Sequence, residues 1–189
     1  MAKPSTDSRD RLLRQATELF YFEGIHAVGI DRIVAEAQST RATLYRYWPG
    51  KEDLIVAYLQ AVDEQIRSEI ADVVGGTPAD SVRRIAASIV GQITGAGFRG
   101  CAFLNAATEY PQENHPIHQL VIRHRAWFLE TLTDLFGDEA TAWHFVMLRD
   151  GAMTAGCVSD SDAVKDTFLA AVEGILRTHA IGASSPNDG

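Results

Sequence analysis

Apolar residues recur at three- and four-residue intervals through almost the whole chain, and nowhere do they alternate over a useful length. That period lays a stripe along one side of a helix and denies a strand its two-faced pattern. Between residues 5 and 22 the stripe is Leu12, Leu13, Ala16, Leu19 and Phe20. Between 51 and 74 it is Leu54, Ile55, Tyr58, Leu59, Val62, Ile66 and Ile70, roughly six turns of helix. Glycines stand where these stripes end: Gly24, Gly75 with Gly76, and Gly137. Capping residues stand where new ones begin: Thr77 before Pro78, Asp138, and Ser159 or Asp160. The spacing predicts helices over 5–22, 30–37, 41–47, 51–74, 78–94, 101–110, 117–137, 139–157 and 162–179. The expected fold class is all-α, with about nine helices and no internal repeat.

Two of these helices are short and nearly touch in sequence. Ile30, Ile33, Val34 and Ala37 form one apolar face, and only Gln38-Ser39-Thr40 separates it from the next segment. That segment carries Arg41, Thr43, Tyr45, Arg46 and Tyr47 on its outer side, groups that bind phosphates and base edges. Two short helices and a tight turn of this kind form a helix-turn-helix. The division that follows is a three-helix head over residues 1–48, a larger helical body over 49–182, and a frayed tail over 183–189.

The net charge of −8 opposes binding to a polyanion at first sight, but its distribution does not. Residues 1–51 hold eight Lys and Arg against six Asp and Glu, a net of +2, so the body carries −10. From Thr40 to Lys51 there are three cations and no anion. With 46% hydrophobic residues the chain can bury a core and is not disordered in type. Its apolar runs are broken by charges before ~18 residues, so no membrane span is expected. The charged N-terminus lacks an apolar signal core, and the two cysteines, Cys101 and Cys157, lie far apart, so a cytoplasmic chain with free thiols is expected.

Several segments together resemble the tetracycline-repressor (TetR) family of bacterial transcription regulators. They are FYFEG at 20–24, the pair Ile30 and Ile33, TLYRYW at 43–48, and KEDL beginning at Lys51. The resemblance covers roughly residues 9–59; beyond it, GCAFLNAA at 100–107 is similar to a motif of some members. It implies a recognition helix over 41–47 with Thr40 at its N-cap. Arg41 and Thr43 would face base edges or nearby phosphates, and Tyr45 a thymine methyl or a phosphate. Arg46, Tyr47 and Lys51 would bind phosphate, with Leu44 and Trp48 turned inward.

The resemblance also implies a homodimer joined through the last two helices, with Trp143, Val146, Met147, Phe168, Leu169, Val172 and Ile175 at the interface. The partners would be a double-stranded, near-palindromic operator and a small, mostly hydrophobic effector, with repression, or less often activation, as the outcome. Phe98, Phe103, Asn105, His124, Trp127 and Phe128 are the candidate effector-binding residues. The chain departs from the family pattern at Val28 and Gly29, which replace hydroxyl residues before the second helix, and at Ala42, which replaces a glycine. Gln38 stands where the turn usually has glycine and would need a left-handed backbone. Asp31, near the start of the second helix, would repel phosphate and sharpen the choice of operator.

Other chemistry finds less support. Glu113, His115 and His118 cluster with Cys101 upstream, but Pro116 interrupts the histidine spacing and no paired ligand pattern is present, so no metal is expected. The chain has no GxSxG, no phosphate-binding glycine loop and no HExxH, so neither an enzyme nor a bound cofactor is expected. A helical small-molecule-binding protein that does not touch DNA is the alternative reading.

Overall fold

In the computed structural model of the chain, the described residues are 6–183, with side chains described for 7–179. The expected tail over 183–189 therefore lies, after residue 183, outside the described residues. Among these residues there are nine helices: α1 (Thr6–Glu23), α2 (Ile30–Glu36), α3 (Arg41–Tyr47), α4 (Lys51–Val73), α5 (Pro78–Ile93), α6 (Ala102–Glu109), α7 (Pro116–Phe136), α8 (Glu139–Ala155) and α9 (Ser161–Ala183). The all-α expectation holds.

The local signals act as their chemistry dictates. Thr77 caps α5 by accepting the Asp80 N–H at 3.1 Å, with Pro78 in the first turn where a missing N–H costs nothing. Asp138 caps α8 through the Thr141 N–H at 2.8 Å. Gly24 and Gly137 end α1 and α7 with φ of 94° and 68°, a region that β-carbons disfavour.

The packing divides the chain into two compact units: the chain up to Ile66 with 102–123, and 67–101 with the chain from His124 onward. The expected boundary at residue 48 cuts through the first of these. The first unit holds the head, most of α4, and α6 with the start of α7. Its core is closed by Leu12, Ile33, Leu44, Leu54 and Ile55, none of them exposed, and by Phe20 against Tyr58 with ring centres 5.7 Å apart.

The second unit is built on α5, α8, α9 and the rest of α7. Phe145 sits at its centre, with Phe128, Phe136 and Phe168 around it at 6.0–6.5 Å between ring centres. Gly156 at the end of α8 leaves room for this packing, because a β-carbon there would lie 2.8 Å from Ile93.

Candidate nucleic-acid interface

The site starts from a turn. Ala37 ends α2, Gln38 takes φ 46°, and Ser39 donates its N–H to Val34 O at 2.8 Å. The left-handed residue reverses the chain within three residues, at the cost expected for a side chain in that region. Thr40 then caps α3, accepting the Thr43 N–H at 3.1 Å, while the two hydroxyls lie 2.9 Å apart. Leu44 is fully buried against the head and Trp48 nearly so. With that side of α3 pinned, Arg41, Tyr45 and Arg46 are left outward and exposed.

The outer face carries a defined electrostatic pattern. Arg46 lies in the last turn of α3 and forms no ion pair among the described residues. Tyr45 is 46% exposed, whereas Tyr47 is half-buried with its ring 5.6 Å from Trp48. Lys51 is half-buried too, its ammonium 6.0 Å from the centre of the Phe20 ring. Burial pushes that ammonium below the usual lysine range, and the charge of Glu109 partly restores it. Arg41 is tied down by Asp31, whose carboxylate accepts from both Nε and Nη2. The hydrogen bond from Arg41 holds the Asp31 carboxyl below the ordinary carboxylate range. Val28 is buried and Gly29 caps α2 without a side-chain bond, so the start of α2 offers backbone N–H groups and no hydroxyl.

The sequence missed the contact between this head and α6. The Glu109 carboxylate accepts the N–H of Ile25 at 2.9 Å and of His26 at 2.6 Å, gripping the loop between α1 and α2. The His26 ring lies 2.9 Å from the Glu109 carbonyl oxygen and stacks on Tyr110, which in turn faces His115. His115 approaches Glu52 at 3.6 Å, and the His118 ring bonds the Tyr110 carbonyl at 2.6 Å. These histidines thus join α6, α7 and α4. A contact across 84 residues leaves no mark on local spacing.

The expected effector residues fall on both units. Phe103 is fully buried in the first, and Asn105 lies on the exposed side of α6. In the second unit Phe98 is half-buried, and the rings of His124, Trp127 and Phe128 pack in series, tilted, at 5.7 and 6.2 Å between centres. Arg67 lies 4.1 Å over the Trp127 ring. Arg149, unassigned in the sequence reading, is 8% exposed and donates to Asp150 at 2.9 Å and to Cys101 Sγ at 3.3 Å. Its signal was a cation within the apolar run of α8.

Among the expected interface residues, Trp143 and Met147 are exposed and Leu169 and Ile175 half-exposed. Val146, Phe168 and Val172 are buried in the core of their own unit, where α8 and α9 pack along each other. No helix among the described residues is long and apolar enough to cross a membrane.

Nine helices among the described residues, with an exposed helix-turn-helix, define the class of helical DNA-binding regulators. The model of bacterial regulatory proteins of the tetR family matches residues 12–58. SCO4454, a TetR-family transcriptional regulator from Streptomyces coelicolor, is 52% identical to this chain; the alignment covers 92% of this chain and 96% of that one, with a TM-score of 0.89. The transcriptional regulator YjdC of Escherichia coli is 27% identical over 89% of this chain and 93% of its own length. The regulator LmrA of Bacillus subtilis is 37% identical over 67 residues, about a third of each protein. The chain belongs to the tetR family of bacterial regulatory proteins. It is a DNA-binding transcriptional regulator and not an enzyme.

Proposed function

We infer that the chain represses transcription by occupying a near-palindromic operator as a homodimer, and leaves it when a small, mostly hydrophobic effector binds. The observation that carries this reading is the outward face of α3, where Arg41, Tyr45 and Arg46 stand on a helix fixed from behind by Leu44 and Trp48. In this reading the head over 1–48 enters the major groove. Arg41 and Thr43 meet base edges, while Thr40, Tyr45, Arg46, Tyr47 and Lys51 set register on the phosphates. The body over 49–182 supplies dimerisation and the effector site.

Two heads on a two-fold axis require half-sites one or more DNA turns apart. In this reading the effector site lies in the second unit, where His124 and Arg149 are polar groups buried among apolar side chains. An effector can release DNA only by the difference between its affinities for the two head spacings.

The test is a gel-shift assay on DNA upstream of the chain's own gene, run at two salt concentrations. A retarded band at low salt that weakens as salt rises is expected. Absence of any band in dilute buffer would remove the reading.

A further inference from the structure

Arg41 and Asp31 meet by one particular edge of the guanidinium. Nε donates to Oδ1 and Nη2 to Oδ2, a side-on fork that uses both carboxylate oxygens. The other edge, Nη1 with the outer hydrogen of Nη2, makes no hydrogen bond among the described residues. That edge carries two parallel N–H groups, the pattern that matches O6 and N7 of guanine and no other base in the major groove. Both residues sit in the first turn of their helices, Arg41 in α3 and Asp31 in α2, so the pair spans the turn.

We propose that Asp31 is the positioning residue that makes the chain select guanine at one base pair of each half-site, by holding Arg41 with its end-on edge outward. This rests on the reading that α3 enters the major groove. A free arginine side chain has several rotatable bonds and can bind a guanine, a phosphate or water with similar ease. Fixing it from the side removes those alternatives before DNA arrives, so the wrong base meets donors that cannot turn away. The same pairing covers the Asp31 charge, which would otherwise face phosphate.

The experiment uses the full-length protein and a pool of duplexes carrying inverted repeats with randomised half-sites. The wild-type chain should enrich one guanine per half-site. Replacing that guanine by 7-deazaguanine, which lacks the N7 acceptor, should weaken binding roughly tenfold. Asp31→Ala should keep affinity for the best duplex within about threefold, since an anion near phosphate is lost, yet reduce the guanine preference to about threefold or less. In the Arg41→Ala background the same Asp31→Ala change should leave base preference unmoved, because the two act through one contact. Asp31→Asn, which preserves shape at the start of α2, serves where the alanine variant loses helicity.

An unchanged guanine preference in both Asp31 variants overturns the proposal, as does a wild-type chain that binds duplexes without preferring guanine. A chain that binds no duplex at all defeats the regulator reading itself, an outcome distinct from both.

Discussion

Glu109 and His26 are joined twice: the Glu109 carboxylate accepts the His26 N–H at 2.6 Å, and the His26 ring lies 2.9 Å from the Glu109 carbonyl oxygen. With the Ile25 N–H also on that carboxylate, the last residue of α6 anchors the loop that sets the start of α2. Glu109→Gln retains one acceptor oxygen and cannot serve both N–H groups. The expected cost is about 1–2 kcal/mol for a partly exposed charged pair of hydrogen bonds. Hydrogen exchange should therefore accelerate at the amides of Ile25 and His26 before it does so in the core of α1. Unchanged protection at those two amides would mean the carboxylate does not hold the loop.

Lys51 and Arg41 should behave differently on DNA. Lys51 stands at the first residue of α4 with its ammonium held near Phe20, so it offers a fixed charge and no base-reading geometry. Lys51→Ala should weaken binding to all duplexes by a similar factor and shrink the slope of log affinity against log salt by about 1.8, or about 0.9 for each head of the dimer. Arg41→Ala should in addition relax base preference at one position of each half-site. Fluorescence anisotropy titrations at four salt concentrations, on matched and mismatched duplexes, separate the two. Identical profiles for both variants would contradict the division of roles.

Gln38 holds φ 46° in the turn between α2 and α3, a conformation that costs a residue with a β-carbon roughly 1–2 kcal/mol. Gln38→Gly removes that strain and adds some unfolded-state entropy, so a net gain of up to about 1 kcal/mol is expected. Thermal melts followed by circular dichroism would register it as a rise of a few degrees. A lower Tm would show that the glutamine side chain contributes packing that the turn needs.

The turn was legible because its signals are local. Gly24, Thr77-Pro78, Gly137 and Asp138 act within a few residues, so helix ends fell within one or two positions of expectation in most cases. The longest miss was the end of α9, which runs to Ala183 beyond the last strong stripe residue. The inward side of α3 was equally readable, since Leu44 is the apolar residue between polar neighbours. What sequence could not show was which of two apolar sides meets its own core. Val146 and Met147 are adjacent and similar in hydropathy, yet one is 3% and the other 67% exposed. The Asp31–Arg41 and Glu109–Ile25 contacts were likewise invisible, because no local period relates residues on separate elements.

Asp138 links stability to acid. The Thr141 hydroxyl and N–H donate to its Oδ2 at 2.6 and 2.8 Å, and the side-chain bond first, then the backbone one, hold the carboxyl below its ordinary value of 3.8. A depressed folded-state value means the unfolded chain binds the proton more tightly. The stabilisation is therefore complete above about pH 4 and is lost as pH falls through the folded-state value. Asp138→Asn keeps a capping oxygen and removes the ionisation. The Tm gap between wild type and variant should be open at pH 6 and close towards pH 3. A gap that is constant with pH would place the effect in the shape of the side chain rather than its charge.

Met147 and Trp143 stand one turn apart on α8, 67% and 43% exposed, beside a shallow groove of about 410 Å³ between α8 and α9. Gly151, Ala155 and Ala163 line that groove, and their small side chains let another helix approach closely. Large apolar side chains beside a small-residue groove are self-complementary about a two-fold axis, which is what a helix-pair dimer needs. Met147→Asp would bury a charge without a partner at that contact, while its exposed position spares the chain's own core. At micromolar concentration, sedimentation should show a shift from dimer to monomer with helicity unchanged. Operator affinity should fall at least tenfold, because a single head loses the second half-site. If the variant still sediments as a dimer, the interface lies on other helices, and Trp143 and Met147 need a different occupant.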